Sequence, residues 1–181
     1  MRRKRQFYFA YGSNMSPARL RARLPSALDH APARLDGHEL AFHKCGADGS
    51  GKCDIPERER STVFGLVYKI TSDDFEVLDR IEGVGVGYER EMVDIHLGGE
   101  RLAAHTYRAT LIDPKLRPFS WYRQHVIAGA LAAGLSESYL SQIRAVKAIR
   151  DPDLQREQRE LAIYQGVSAP AAFKGAEGMS A

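Results

Sequence analysis

Two short stretches hold the residue types whose spacing could support chemistry: Gly12-Ser13-Asn14 near the start of the chain and Asp79-Arg80-Ile81-Glu82-Gly83 in the middle. Glu82 falls in the last turn of a predicted helix, where the negative end of the macrodipole disfavours a carboxylate's charged form. Asp79, three residues back on the same side, adds like-charge repulsion, against which Arg80 works in part. Both effects are expected to raise the pKa of Glu82, as a group that takes and returns a proton near neutral pH requires. Gly12-Ser13-Asn14 breaks an aromatic strand, Phe7-Tyr8-Phe9, with residues that tolerate turns and positive φ. Ser16 is then a good N-cap and Pro17 fits the first helical position. A strand, a small-residue turn and a helix start point several backbone N–H groups one way, which suits an anion such as a carboxylate. Each stretch also has a plainer reading, as a simple turn and as an exposed helix-end glutamate.

Other candidates fare less well. His43, Cys45 and Cys53 match no structural zinc spacing and lack an obvious fourth ligand, so no metal is expected and both cysteines are read as free thiols. Gly83 to Gly87 is rich in glycine but offers no Lys or Ser/Thr in a phosphate-loop pattern, which argues against nucleotide binding. The net charge of +3 would suggest nucleic acid, but Arg2, Arg3, Lys4 and Arg5 carry four positives and leave the rest nearly neutral. Such a run is more often solvated than bound, so no nucleic-acid partner is expected. The apolar run behind it stops at Gly12, too short for a signal peptide, and no stretch is long enough to span a membrane. The expectation is therefore a cytoplasmic protein without a membrane partner.

The elements that must position these residues follow from periodicity. The chain divides into a basic tail (1–6), a single domain (7–166) and a C-terminal tail (167–181) whose small residues and glycines predict disorder. Ala33 to His38 and Leu40 to His43 read as strands around a turn. Gly46 to Arg60, with three glycines, Pro56 and many charges, reads as a surface loop. Ser61 to Ile70 is a central strand, nearly continuously apolar. Thr71 with Asp74 makes a capping box for a helix whose apolar face is Phe75, Leu78 and Ile81, ending at Gly83. Arg90 to Leu97 and Leu102 to Ala109 pair across Gly98-Gly99. Further helices are expected from Pro118 to Gly134, from Ser136 to about Ala148, and from Asp151-Pro152 onward.

Taken together, two motifs carry a family resemblance. Tyr11-Gly12-Ser13-Asn14 after an aromatic strand resembles the Tyr-Gly-Ser-Asn motif of the γ-glutamylcyclotransferase family, and Leu78-Asp79-x-x-Glu82-Gly83 resembles its second motif, whose glutamate is the acid/base. Tyr88, shortly after that glutamate, and Tyr122, in the following long helix, match two tyrosines that line the family's pocket, although Tyr122, like Trp121, also reads as a plain core aromatic. The link from Glu82 to Tyr88 is one residue shorter than in some relatives. The resemblance covers roughly Phe7 to Val146. It implies a mixed α/β (α+β) fold, a mostly antiparallel barrel-like sheet with helices around it; barrel closure comes from the resemblance alone.

The implied reaction converts a γ-glutamyl amino acid or amine to 5-oxoproline and a free amine. The α-amino group attacks the γ-carbonyl of its own glutamyl moiety. An α-ammonium has a pKa near 8 and must first lose a proton; Glu82 is expected to take it and later return it to the leaving nitrogen. The backbone of Gly12, Ser13 and Asn14 is expected to hold the α-carboxylate, with Tyr11, Tyr88 and Tyr122 lining the pocket. No cofactor is needed, because the nucleophile lies within the substrate. The alternatives are an inert binding module of the same fold, or a cyclotransferase directed at glutathione or γ-glutamylamines. Asn14 in place of an apolar fourth residue looks less like the glutathione-specific branch. The 46–60 stretch is expected to border the pocket mouth and contact the leaving amine, and the oligomeric state stays open between monomer and homodimer.

Overall fold

The computed structural model describes residues 4–165. Arg2, Arg3 and the stretch 167–181 lie outside the described residues. Five strands close into a barrel in the order β1 (Arg5–Ala10), β5 (Glu57–Thr71), β2 (Leu28–His38), β6 (Tyr88–Leu97) and β7 (Glu100–Ala109). All pairings are antiparallel except β1 with β7, where Tyr8 faces His105 and the barrel closes. The fold is thus mixed α+β with a mainly antiparallel sheet. Here β5 is the central strand expected from its apolar run: it pairs with β1 on one side and β2 on the other, and Val63, Leu66, Val67, Tyr68 and Ile70 are buried. The first strand begins at Arg5, whose guanidinium donates to the carbonyl of Lys69 at 3.0 Å.

Helices surround the barrel. The first, α1 (Pro17–Arg23), is capped by the Ser16 hydroxyl, which accepts from the Arg19 N–H. The second, α2 (Ser72–Glu82), carries the complete Thr71–Asp74 capping box and buries Phe75 and Leu78. It stops at Gly83, which adopts φ 69°, a left-handed conformation that side chains resist and glycine does not. Next come α3 (Ser120–Ala132), α4 (Glu137–Ala145) and α5 (Leu154–Leu161). No helix among the described residues is long and apolar enough to cross a membrane.

Three details depart from the sequence reading. The 46–60 stretch is not an irregular loop: β3 (Ala41–Cys45) and β4 (Gly51–Asp54) form a separate two-stranded ribbon, and β5 already runs from Glu57. Glu57 to Arg60 are exposed on β5, but the charges of the ribbon are paired. Lys52 donates to Asp48 at 2.7 Å and lies 4.7 Å from the ring centres of both Trp121 and Tyr122, while Asp54 accepts from the Ala109 N–H at 2.9 Å. Secondly, Asp151 does not start the last helix; Asp153 caps it. Asp151 is instead fully buried, accepting from Trp121 Nε1 at 2.7 Å and from both Nε and Nη2 of Arg156 at 2.6 Å. The Arg156 fork holds this carboxyl far below the usual carboxylate range against the cost of burial. Thirdly, α4 ends at Ala145 because Val146 turns to extended backbone.

Candidate active site

The elements converge on one small, partly open cleft beside the barrel. All seven residues singled out in the sequence line it: Tyr11, Gly12, Ser13, Asn14, Glu82, Tyr88 and Tyr122. Tyr8, Cys53 and Tyr107 complete the wall. Glu82 arrives on the last turn of α2, with its side chain 17% exposed. It is not the isolated helix-end carboxylate of the plainer reading: its Oε1 accepts from Asn14 Nδ2 at 2.9 Å and from Arg23 Nη1 at 3.1 Å.

Two arguments made from sequence need correcting here. Asp79 does not crowd Glu82; its carboxylate accepts from the Tyr107 hydroxyl at 2.8 Å and pairs with Arg90 at 3.3 Å. The charge that faces Glu82 is the guanidinium of Arg23, which sequence spacing did not connect to it. Gly12, moreover, is not glycine for the sake of a positive φ, since its φ is −103°. It is glycine because of close approach: a Cβ there would lie 2.9 Å from the Cβ of Cys53 and 3.5 Å from the Tyr122 hydroxyl.

The turn itself is a single 3₁₀ turn, Ser13–Met15, entered from β1 and running directly into the Ser16 cap of α1. The Met15 and Ser16 N–H groups return to the carbonyls of Gly12 and Ser13 at 2.9 and 3.2 Å. Among the described residues, the N–H groups of Ser13 and Asn14 have no acceptor. Two unmatched donors on residues lining a cleft suit an anion. Asn14 also donates to the Tyr8 hydroxyl at 3.0 Å, so one amide ties the turn to both β1 and α2.

Backbone of β4 is braced by two of the predicted pocket tyrosines. The Tyr122 hydroxyl accepts from the Cys53 N–H at 3.0 Å, and the Tyr88 hydroxyl donates to the Cys53 carbonyl at 2.7 Å. Tyr11 donates to the Tyr107 carbonyl. Burial pushes the phenols of Tyr8, Tyr11, Tyr88, Tyr107 and Tyr122 well above their ordinary value, so all five stay neutral. Burial likewise raises the Cys53 thiol to about 12, which leaves it protonated and a poor nucleophile. His43 Nε2 donates to the Asp54 carboxylate at 2.9 Å, and among the described residues no three His, Cys, Asp or Glu side chains cluster as metal ligands.

Sequence reasoning missed Tyr8, Cys53, Tyr107 and Arg23. Tyr8 was legible only as strand, and Cys53 sat in the supposed loop; the one signal for Arg23 was its place on the helix that follows the turn.

The chain resembles proteins of known kind in sequence and in shape. The model of the AIG2-like family matches residues 62–143. The γ-glutamylcyclotransferase of Bos taurus is 29% identical over 147 residues, covering 77% of this chain and 78% of that one, and that of Homo sapiens is 28% identical over 148 residues with the same coverage. In sequence the chain is thus similar to γ-glutamylcyclotransferases over most of its length. The crystal structure of an uncharacterised Homo sapiens protein superposes with a TM-score of 0.75 at 27% identity, covering 81% of this chain and 90% of the other. A solved γ-glutamyl cyclotransferase, at 24% identity, shares the fold with a TM-score of 0.77 over 90% of this chain and all of its own. The family match on 62–143 contains the later part of β5, all of α2 and Glu82, while the Gly12–Asn14 turn that completes the cleft lies before it.

Proposed function

We propose that this protein converts a γ-glutamyl amino acid or amine to 5-oxoproline and the free amine, without a cofactor, in the cytoplasm. The observation that carries the reading is the joining of Glu82 to Asn14: one hydrogen bond puts the carboxylate at the edge of a turn with two unmatched N–H donors, inside one cleft. The α-carboxylate of the glutamyl moiety binds the Ser13 and Asn14 N–H groups. Its α-ammonium then lies toward Glu82, which removes a proton and frees the lone pair for attack on the γ-carbonyl. The five-membered ring forms as the C–N bond to the leaving amine breaks, and Glu82 returns the proton to that nitrogen. Neutral tyrosines around the carboxylate exclude water and keep competing hydrolysis away from the carbonyl. The relatives named γ-glutamylcyclotransferase support the same chemistry.

The test is Glu82→Gln, assayed by 5-oxoproline released from a panel of γ-glutamyl amino acids and amines. The folded variant is expected to lose about 10²- to 10⁴-fold in kcat, as is usual when an acid/base group is removed. Turnover close to that of the parent would remove Glu82 from the mechanism.

A further inference from the structure

We infer that Arg23 is a positioning residue for this reaction: with Asn14 it ties up Oε1 of Glu82 and leaves Oε2 as the oxygen that takes and returns the proton. The inference rests on the cyclotransferase reading above. Arg23 Nη1 and Asn14 Nδ2 both donate to Oε1, at 3.1 and 2.9 Å. Among the described residues, Oε2 receives no hydrogen bond. An oxygen that already accepts from a cation and an amide is a poorer proton acceptor than its unengaged partner.

Arg23 also settles which way the Asn14 amide points. Its Nη1 donates to Asn14 Oδ1 at 2.8 Å, which turns Nδ2 toward Glu82 and the Tyr8 hydroxyl. The flipped amide would set an N–H donor against the guanidinium and an oxygen against the carboxylate, two repulsions in place of two bonds. One guanidinium nitrogen thereby fixes both ends of the Asn14–Glu82 contact. Arg23 does not itself line the cleft, so the substrate's carboxylate is left to the Ser13 and Asn14 backbone.

The surroundings make Arg23 the charge that matters to Glu82. The titratable groups around the cleft besides Glu82 are Tyr8 on β1, Tyr11 just after it, Cys53 on β4, Tyr88 on β6, Tyr107 on β7 and Tyr122 on α3, each kept neutral by burial. Asp79 is turned to Tyr107 and Arg90, and Lys44 of β3 lies over the Tyr88 ring at 4.8 Å. In the reaction the N–H bond of the α-ammonium breaks as an O–H bond forms at Oε2. That proton then passes to the leaving nitrogen as its bond to carbon breaks, the carboxylate is restored, and the second proton shed by the ring nitrogen is taken up by the released amine, which departs as its ammonium.

The experiment compares the full-length parent, Arg23→Met and Arg23→Lys for 5-oxoproline release from L-γ-glutamyl-L-alanine and for 5-oxoproline binding by calorimetry. Arg23→Met is expected to lower kcat about 10- to 100-fold, the usual cost of a misplaced catalytic group, with KM and the 5-oxoproline Kd within about twofold of the parent. The acid limb of its kcat/KM profile, followed from about pH 5 to 9, moves to higher pH because the carboxylate has lost its cation. Arg23→Lys brings the limb back by restoring the charge but recovers only part of kcat, since an ammonium does not reproduce the guanidinium fork. A loss of affinity with an unmoved limb would instead make Arg23 the carboxylate receptor and overturn the inference; so would a lowered kcat with an unmoved limb, or no change at all. A parent that releases no 5-oxoproline sinks the cyclotransferase reading and this inference with it, whereas an active parent beside an unaffected Arg23→Met protein sinks this inference alone.

Discussion

Gly12→Ala isolates the contact between the two halves of the cleft. The added methyl would stand 2.9 Å from Cys53 Cβ and 3.3 Å from its Sγ, closer than carbon atoms pack, and neither neighbour is the far end of a flexible chain. The backbone conformation gives no reason for a penalty, since φ is −103° at Gly12. All of the cost must therefore come from pushing β4 away from the turn. Overpacking of this kind costs about 1–3 kcal/mol. Moving β4 also stretches the 3.0 Å bond from the Cys53 N–H to the Tyr122 hydroxyl, a further ~1 kcal/mol. A total near 3 kcal/mol lowers the Tm of a domain this size by about 6–12 °C. Urea unfolding and a thermal scan give the stability, and 5-oxoproline binding reports on the turn. In a Cys53→Gly background, where the facing Cβ is gone, the same Gly12→Ala change should cost less than about 1 kcal/mol, so the coupling between the sites is measured directly. A Gly12→Ala protein as stable as the parent, or an equal cost with and without the Cys53 side chain, would refute the close-approach account.

Two other outcomes follow from the same structure. His125 is buried between α1, α3 and α5, where it meets Arg19, Trp121, Glu160 and Tyr164, and burial first, with Arg19 also opposing its charge, lowers its pKa from 6.5 to about 4. The unfolded chain therefore binds the proton first as pH falls through 6.5, and folding stability is expected to drop between pH 6.5 and about 4, by at most about 1.4 kcal/mol per pH unit; denaturant titrations of parent and His125→Gln at several pH values check this, the variant showing a flatter slope. Below that window a second loss begins: burial works against the charge of Glu160, yet its contacts with His125 and Arg19 hold it at about 2, so its contribution, present above the ordinary carboxylate range, fades as pH falls toward 2. Lys52→Ala should loosen the β3–β4 ribbon, because its ammonium is held by Asp48 and by the faces of Trp121 and Tyr122; a loss of about 1–3 kcal/mol is expected by thermal unfolding, and hydrogen exchange should speed up in Gly51–Asp54 before it does in the barrel.

What could be read from the chain alone was whatever depends on neighbours in sequence. The Ser16 cap, the Thr71–Asp74 box, the left-handed stop at Gly83 and the Gly98-Gly99 hairpin are each made by residues a few positions apart, and their chemistry is the same in a peptide as in the fold. That sufficed to put Glu82 at a helix end and Gly12 to Asn14 in a turn after a strand, and the two motifs together pointed to the family. The tertiary structure decided everything that joins distant positions. Closure of the barrel rests on β1 meeting β7 some hundred residues on, which no local period encodes. The 46–60 stretch looked like a loop because glycines and charges usually mean solvent; here Lys52, Asp54 and Asp48 find partners that only folding supplies. In the same way, sequence spacing set Asp79 against Glu82, because on a bare helix nothing else is near. Folding turns Asp79 to Tyr107 and Arg90 and brings in Arg23 from another helix. The electrostatics of a carboxylate are set by whichever charges lie within a few ångströms, and that distance is a property of the packed chain rather than of the order of its residues.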